Sequence, residues 1–226
     1  MKRNLIVVAH PDDEILGFGA TGLKLVQGGE LVQAVILCGN ADARTHRPED
    51  EELLEDMLSA NRLLGFADPI SGAFPNIKTN TVPHLELVQF IEQQILEFQP
   101  HRIFTHHPGD LNDDHLQVSR ACMAASRLFQ RRCDLPPLEA LCTMEILSST
   151  DWAFPSAGQV FLPNLFVEVT DQLESKIQAL SCYRKVMRDF PHPRSKEILT
   201  GLAAYRGGQA GQKYSESFQT VFRREM

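Results

Sequence analysis

The feature that most constrains the fold is an apolar run that ends abruptly in histidine and acid. Residues 4–8 (NLIVV) are followed at once by residues 9–14 (AHPDDE). The apolar run predicts a buried strand, so that His10, Asp12 and Asp13 lie at its carboxyl end, where ligands gather in open α/β folds. Buried histidine and aspartate need a partner, and a metal ion accepts both. The first residues therefore predict an α/β fold with a polar site at a strand end.

Apolar runs alternate with helical patterns along most of the chain, which predicts a Rossmann-like, doubly wound α/β fold. The sheet is expected to be mostly parallel, with helices on both faces and a C-terminal elaboration. No repeat or linker is visible, so residues 1–226 are expected to form one domain. The predicted strands are 5–9, 31–38, 102–105, 140–147 and 165–169. The predicted helices are 14–27, 49–64, 82–98, 113–131, 171–187 and one through Tyr205, before a glycine-rich turn at Gly207 and Gly208.

Charge and cysteine usage restrict the class of protein. The formal net charge of −7 disfavours general binding to nucleic acid or to anionic membranes. Five scattered cysteines without a C-x-x-C pair predict reduced thiols in a cytoplasmic protein. The apolar run before His10 is too short for a signal peptide or a membrane span. The sequence is compatible with a monomer or with a homo-oligomer.

A second polar cluster follows the strand predicted at 102–105. It occupies residues 105–115 (THHPGDLNDDH). In a doubly wound sheet the first and fourth strands are neighbours, so this loop meets the first cluster if its strand takes the fourth position. A catalytic zinc site uses three protein ligands and leaves one position for water, and His10, Asp13 and His115 supply such a set. Asp12 is a spare carboxylate that could accept a proton, which favours metal-assisted hydrolysis of an amide or ester.

Each of these residues has a simpler explanation when it is taken singly. A histidine before proline is commonly a turn residue, and His106 and His107 could be ordinary core or surface groups. Helix capping and first-turn acids explain the aspartate pairs at 12–13 and 113–114. The concentration of all of them in two strand-end loops favours a functional site.

Residues 9–14 and 105–115 resemble the PIG-L/LmbE-like family of zinc-dependent de-N-acetylases. Residues 145–152, 161–164 and 191–195, with Arg206-Gly207, look similar to a bacterial subgroup of that family. The resemblance implies removal of acetyl from an N-acetylated amino sugar of the N-acetylglucosamine type, with release of acetate. It also implies one Zn²⁺ per chain, held by His10, Asp13 and His115, with Asp12 as the general base.

The chain departs from the family pattern at Asn112, where many members carry a histidine that stabilises the oxyanion or protonates the leaving amine. Asparagine can donate a hydrogen bond to an oxyanion but cannot deliver a proton at neutral pH. The proton for the amine is then expected from His106, from His107 or from protonated Asp12.

Four arginines are candidates for contacts with the small-molecule substrate. Arg44 and Arg47 precede the second helix, where an exposed polar loop explains them equally well. Arg194 and Arg206 lie in the C-terminal elaboration and could close the pocket. Trp152 could stack on a sugar ring, although a single tryptophan is more often part of the core.

Three other functions compete with a deacetylase. The first is a nicotinamide-dependent dehydrogenase, because residues 17–22 (GFGATG) fit the dinucleotide-binding pattern G-x-G-x-x-G. These glycines, however, fall inside a predicted helix rather than in the turn after the first strand. A zinc-bearing sugar-binding or regulatory protein with weak catalysis is suggested by Asn112, whereas Asp12 argues against it. A phosphoesterase often needs two metal ions, and the chain shows ligands for one.

Overall fold

The structure is a computed structural model, and it describes residues 1–40, 49–154 and 158–225. The strands in these residues are β1 (Arg3–Val8), β2 (Leu31–Ile36), β3 (Ile70–Ser71), β4 (Arg102–His106), β5 (Ala140–Met144), β6 (Leu165–Glu168) and β7 (Ser215–Arg223). The α-helices are α1 (Asp13–Gln27), α2 (Asp50–Leu63), α3 (His84–Phe98), α4 (Asp113–Ala125), α5 (Leu128–Arg131), α6 (Leu173–Cys182) and α7 (Lys196–Ala210). Short 3₁₀ turns lie at Thr79–Thr81 and Thr150–Trp152.

The seven strands form one sheet in the order β3-β2-β1-β4-β5-β7-β6. The pairs β2–β3, β1–β2, β1–β4 and β4–β5 are parallel, whereas β7 runs antiparallel to both of its neighbours. This confirms the expected α/β fold with a mostly parallel sheet. It also confirms that β1 adjoins β4, with Val7 opposite Thr105. The two polar clusters therefore leave the sheet at the same edge, side by side.

Helices cover both faces of the sheet, so β1 is buried on both sides. Side chains alternate along a strand, so Ile6 and Val8 pack into one apolar cluster while Leu5 and Val7 pack into the other. This is why β1 appears in the sequence as a continuous apolar run. None of the helices in the described part of the chain is long and apolar enough to cross a bilayer.

The G-x-G-x-x-G residues lie within α1 and bring this helix close to its neighbours. A Cβ atom on Gly17 would lie 2.6 Å from the sulfur of Met144, and one on Gly22 would lie 2.2 Å from the ring of Phe66. Larger side chains would push the helix away from these groups. The glycines therefore serve helix packing, and the turn that would cradle a pyrophosphate is occupied by the first polar cluster.

The last third of the chain differs from the sequence prediction. Gly207 and Gly208 are inside α7, and the chain turns at Gly211, whose φ of 69° suits glycine. Strand β7 was not predicted because its buried positions carry polar side chains such as Ser215, Glu216 and Ser217. The helix expected at 113–131 is interrupted between α4 and α5, the strand expected at 140–147 ends at Met144, and the helix expected at 171–187 is shortened to α6.

Candidate metal centre and active site

The candidate site is a cavity of about 370 Å³ at the carboxyl ends of β1 and β4. Residues 9–12 join β1 to α1, and residues 13–14 lie in the first turn of α1. Residues 107–112 join β4 to α4. Six of the residues that line the cavity were selected from the sequence: His10, Asp12, Asp13, Asn112, His115 and Arg194.

Three ligand atoms form a nearly equilateral triangle at the floor of the cavity. Nδ1 of His10 lies 3.3 Å from Nε2 of His115, and each nitrogen lies 3.3 and 3.2 Å, respectively, from Oδ2 of Asp13. A tetrahedral ion with bonds of about 2.0–2.1 Å separates its ligand atoms by about 3.3–3.4 Å. The spacing therefore fits a tetrahedral metal such as zinc, and these residues are the candidates to hold it.

A buried carboxylate orients the first histidine of this set. Nε2 of His10 lies 2.8 Å from Oδ2 of Asp114. Since an ionised carboxylate only accepts hydrogen bonds, Nε2 carries the proton and Nδ1 keeps its lone pair for the triangle. Asp114 also accepts hydrogen bonds from the amides of Ile77 and Thr79 and from the Thr79 hydroxyl. It does not cap helix α4 with its side chain; that role belongs to Asn112.

A second carboxylate orients the other histidine in the same way. Nδ1 of His115 lies 3.2 Å from Oδ2 of Asp110, which leaves Nε2 for the triangle. Asp110 accepts further hydrogen bonds from the hydroxyls of Ser149 and Thr150 and from the amide of Asn112. The loop after β5 is thereby attached to the loop after β4.

The carboxylates and imidazoles of the cluster shift one another's pKa values. Burial alone would lower the pKa of His115, but the charge of Asp13 and the hydrogen bond to Asp110 outweigh it and raise the pKa to about 10. Burial opposes ionisation of Asp110 and Asp114, yet their histidine partners help to lower the pKa of each to about 2. Three buried carboxylates beside two imidazoles suit a bound cation.

Asp12 lies beside the triangle in an unusual backbone conformation. Its φ of 102° lies in the left-handed region that L-residues rarely adopt, and its side chain is fully buried. One carboxylate oxygen accepts a hydrogen bond of 2.8 Å from Nη1 of Arg194. Nε of Arg194 donates to the hydroxyl of Ser148, so the guanidinium is held in a defined position.

A buried network supports the backbone of Asp12. Glu14 accepts a hydrogen bond from the Asp12 amide at 3.1 Å and others from the Tyr183 hydroxyl and the Asn61 side chain. Burial raises the pKa of Glu14 to about 7, although the Tyr183 hydrogen bond opposes this shift. The network offsets the backbone strain at Asp12, since such strain persists only where its surroundings impose it.

Asn112 occupies the cavity wall with a defined orientation. Its Oδ1 accepts a hydrogen bond from the amide of Asp114 at the start of α4, which is a standard N-cap interaction. The Nδ2 group of the same side chain then remains as a donor for a ligand in the cavity.

The structure does not bring His106 to the cavity, so its predicted role as an acid is corrected. Its Nε2 accepts a hydrogen bond of 2.8 Å from the amide of Ala9, and its ring stacks on His115 with a centroid distance of 3.8 Å. Burial, assisted by His115, lowers the pKa of His106 to about 3, so its ring stays neutral. His107 is also buried, and its Nδ1 accepts from the Gly109 amide. Both histidines support the loop rather than face a substrate.

The arginine predictions have three outcomes. Arg194 lines the cavity. Arg206 does not, because Glu145 holds its guanidinium through two hydrogen bonds of 2.8 and 2.6 Å beneath α7; this expectation is corrected. Arg44 and Arg47 lie outside the described residues.

Sequence reasoning missed the orienting carboxylates Asp110 and Asp114. Both could have been suspected from one signal: a metal-ligating histidine nearly always needs a partner for its second nitrogen. It also missed Glu14, whose burial directly after two aspartates is unusual for a surface helix start. Trp152 is 55% exposed, so it is not a core residue.

The part of the chain that carries this site matches a known protein family. The model of the PIG-L family, described as GlcNAc-PI de-N-acetylase, matches residues 5–126, more than half of the 226-residue chain. The chain belongs to the PIG-L family. The match spans both polar clusters and all three residues that provide the ligand triangle. The resemblance inferred from residues 9–14 and 105–115 is therefore confirmed.

Two individual proteins similar to this chain are described as deacetylases. The Escherichia coli K12 protein described as uncharacterized deacetylase YaiS is 33% identical over 182 residues, which cover 76% of this chain and 84% of YaiS. The N,N'-diacetylchitobiose deacetylase of Pyrococcus horikoshii has a TM-score of 0.77 at 20% identity, covering 97% of this chain and 84% of that structure. The family and YaiS support a hydrolytic deacetylase, and the Pyrococcus horikoshii structure supports the fold.

The same fold also carries other chemistry. GalB of Pseudomonas putida KT2440, the 4-carboxy-2-hydroxymuconate hydratase, has a TM-score of 0.76 at 19% identity, covering 100% of this chain and 98% of that one. Likeness at this level of identity shows the fold alone. The reaction of the present protein is therefore argued from its site.

Proposed function

We propose that the protein is a zinc-dependent hydrolase that removes the acetyl group from an N-acetylated amino sugar of the N-acetylglucosamine type. One observation carries the proposal: Asp12 is buried beside a triangle of ligand atoms spaced 3.2–3.3 Å apart. A metal-binding protein without catalysis has no need of this additional carboxylate. One zinc ion per chain, held by His10, Asp13 and His115, would lower the pKa of a water molecule and polarise the amide carbonyl.

The protein residues around the triangle then have separate tasks. Asp12 takes a proton from the attacking water as general base. Arg194 donates a hydrogen bond to the Asp12 carboxylate through Nη1, which holds the carboxylate in a fixed position before attack. The Nδ2 group of Asn112 donates a hydrogen bond to the developing oxyanion.

Asp12 is also the proposed source of the proton for the leaving amine. Among the described residues that line the cavity, Asp12 is the acid that remains once Asp13 and the two histidines are assigned to the metal. His106 and His107 are buried in hydrogen bonds away from the cavity. A carboxylate that has accepted a proton during attack can return it to the amine, so one residue serves both steps.

The test is acetate release from a panel of N-acetyl amino sugars by the zinc-loaded full chain, with and without a chelator. We expect Asp12→Ala to lose nearly all turnover while zinc stays bound, and His115→Ala to lose both. Asp113→Ala is the matched control, because this exposed acid lies in the first turn of α4, two residues before His115.

Two results would contradict the proposal. Equal loss of zinc in Asp12→Ala and His115→Ala would refute the division of roles. No zinc-dependent acetate from any sugar would favour the runner-up function, a zinc-bearing sugar-binding or regulatory protein. We also propose a cytoplasmic location, which is tested separately by fractionation of cells that produce the protein.

A further inference from the structure

Two large, exposed apolar side chains line the cavity, although its floor is polar. Ile77 and Leu111 line the cavity and are 51% and 62% exposed. Trp152 and Phe154 follow the cavity residues Ser148 and Ser149 along the chain, and are 55% and 65% exposed. We call Ile77, Leu111, Trp152 and Phe154 the apolar rim.

The apolar rim is built from three separate loops. Ile77 comes from the segment between β3 and α3, Leu111 from the loop after β4, and the two aromatic residues from the segment after β5. The rings of Trp152 and Phe154 pack edge to face with centroids 5.5 Å apart. Large apolar side chains that reach one cavity from different loops, as Ile77 and Leu111 do, are typical of a binding surface.

Each of these loops is attached to a carboxylate that orients a candidate metal ligand. The amide of Ile77 donates to Asp114, the partner of His10. Leu111 directly follows Asp110, and the hydroxyl of Thr150 donates to that same carboxylate at 2.6 Å. The rim is therefore held at a fixed place relative to the ligand triangle.

Ile77 has a backbone conformation that its own side chain disfavours. Its φ of 58° lies in the left-handed region, which is a genuine outlier for a β-branched residue. Glycine or asparagine would adopt this conformation with less strain. An exposed isoleucine at such a position gains nothing for the stability of the loop, so its side chain indicates a binding role.

We propose that the apolar rim binds the aglycone of the amino-sugar substrate, and that this aglycone is an apolar alkyl or aromatic group. The inference rests on the proposed function, which places the N-acetyl group at the ligand triangle and directs the rest of the sugar toward the mouth. The four rim side chains offer apolar area and a single hydrogen-bond donor, the indole N–H of Trp152. An alkyl or phenyl group gains by leaving water there, whereas a phosphate or a further charged sugar does not.

The test compares kcat/KM for four substrates: N-acetylglucosamine and its methyl, hexyl and phenyl β-glycosides, with the zinc-loaded full chain. We expect the hexyl and phenyl compounds to exceed the methyl glycoside by about tenfold, because each buries additional apolar surface. Leu111→Gln and Ile77→Asn should each lower this ratio toward one. Leu63→Gln is the matched control and should keep it, since Leu63 is equally an exposed leucine but lies at the end of α2.

Ile77→Asn separates binding from folding. The variant keeps the amide that donates to Asp114 and relieves the backbone strain, so its thermal midpoint should equal or exceed that of the wild type while the aglycone preference falls. A ratio below about two in the wild type, or a ratio unchanged in both rim variants, would overturn the inference.

Failure of the proposed function gives a different result, namely no acetate from any of the four compounds. The rim is then tested by binding alone, since Trp152 is the only tryptophan of the chain. The fluorescence emission of Trp152 is titrated with the hexyl and with the methyl glycoside. A half-saturating concentration that is at least about fivefold lower for the hexyl glycoside supports the rim, and equal concentrations refute it.

Discussion

Replacing Asp114 by asparagine tests whether the orienting carboxylate sets the metal affinity of the site. Oδ2 of Asp114 accepts hydrogen bonds from Nε2 of His10 and from the amide of Ile77. Oδ1 accepts from the amide of Thr79 at 3.0 Å and from its hydroxyl at 2.6 Å. All four groups are donors or can act as donors to the two carboxylate oxygens. An asparagine side chain has only one acceptor oxygen, so it can accept hydrogen bonds on the His10 side or on the Thr79 side, but not on both.

Both orientations of the asparagine amide are unfavourable. If its oxygen faces His10, its NH₂ group meets the buried amide of Thr79, and an unsatisfied buried donor costs about 1–3 kcal/mol. If its NH₂ group faces His10, the imidazole must move its proton to Nδ1, the atom that the ligand triangle needs. Loss of such an orienting partner typically lowers metal affinity about 10–100-fold. We therefore expect zinc affinity to fall by about 1.4–2.7 kcal/mol.

Zinc affinity is measured by competition with a chelator of known affinity, and the stability of the metal-free protein by urea unfolding. Asp113→Asn is the control, because it removes the same charge from the neighbouring position, where the side chain is exposed. The reasoning is refuted if Asp114→Asn binds zinc within about twofold of the wild type, or if Asp113→Asn loses as much affinity.

Three further predictions concern residues around the site and in the core. Tyr183→Phe removes a donor to buried Glu14 and should cost about 1–3 kcal/mol of unfolding free energy. It should also lower kcat more than it raises KM, with zinc affinity unchanged. Lys176→Met leaves Glu216 buried without its 2.7 Å partner and should cost about 3–5 kcal/mol in urea unfolding, and Lys176→Met with Glu216→Gln should cost less. Gly201→Ala should raise the unfolding free energy by about 0.5–1 kcal/mol, because a Cβ there meets open space within helix α7.

The sequence alone determined the α/β alternation, and it predicted that the two strand-end loops meet if their strands are neighbours. The alternation is a local feature, since the apolar run of β1 and the polar residues after it are adjacent in the chain. The rule that β1 adjoins β4 then brought His10 and His115 together across 105 positions. Strand β7 was not predicted because three of its buried positions, Ser215, Glu216 and Ser217, are polar. Glu216 and Ser217 are satisfied by hydrogen-bond partners in distant elements, which no periodicity reveals.

Only the tertiary structure decided what the remaining polar residues do. In the sequence, Asp114 fits two roles, that of an acid in the first turn of a helix and that of a histidine partner. Its 2.8 Å hydrogen bond to His10 identifies it as the histidine partner. His106 and Asn112 are both plausible acids or donors in the sequence, but the first is buried against the amide of Ala9 and the second lines the cavity. The physical reason is that a polar side chain takes its role from the donors and acceptors that surround it. Those groups come from loops far apart in the chain and meet only in the folded protein.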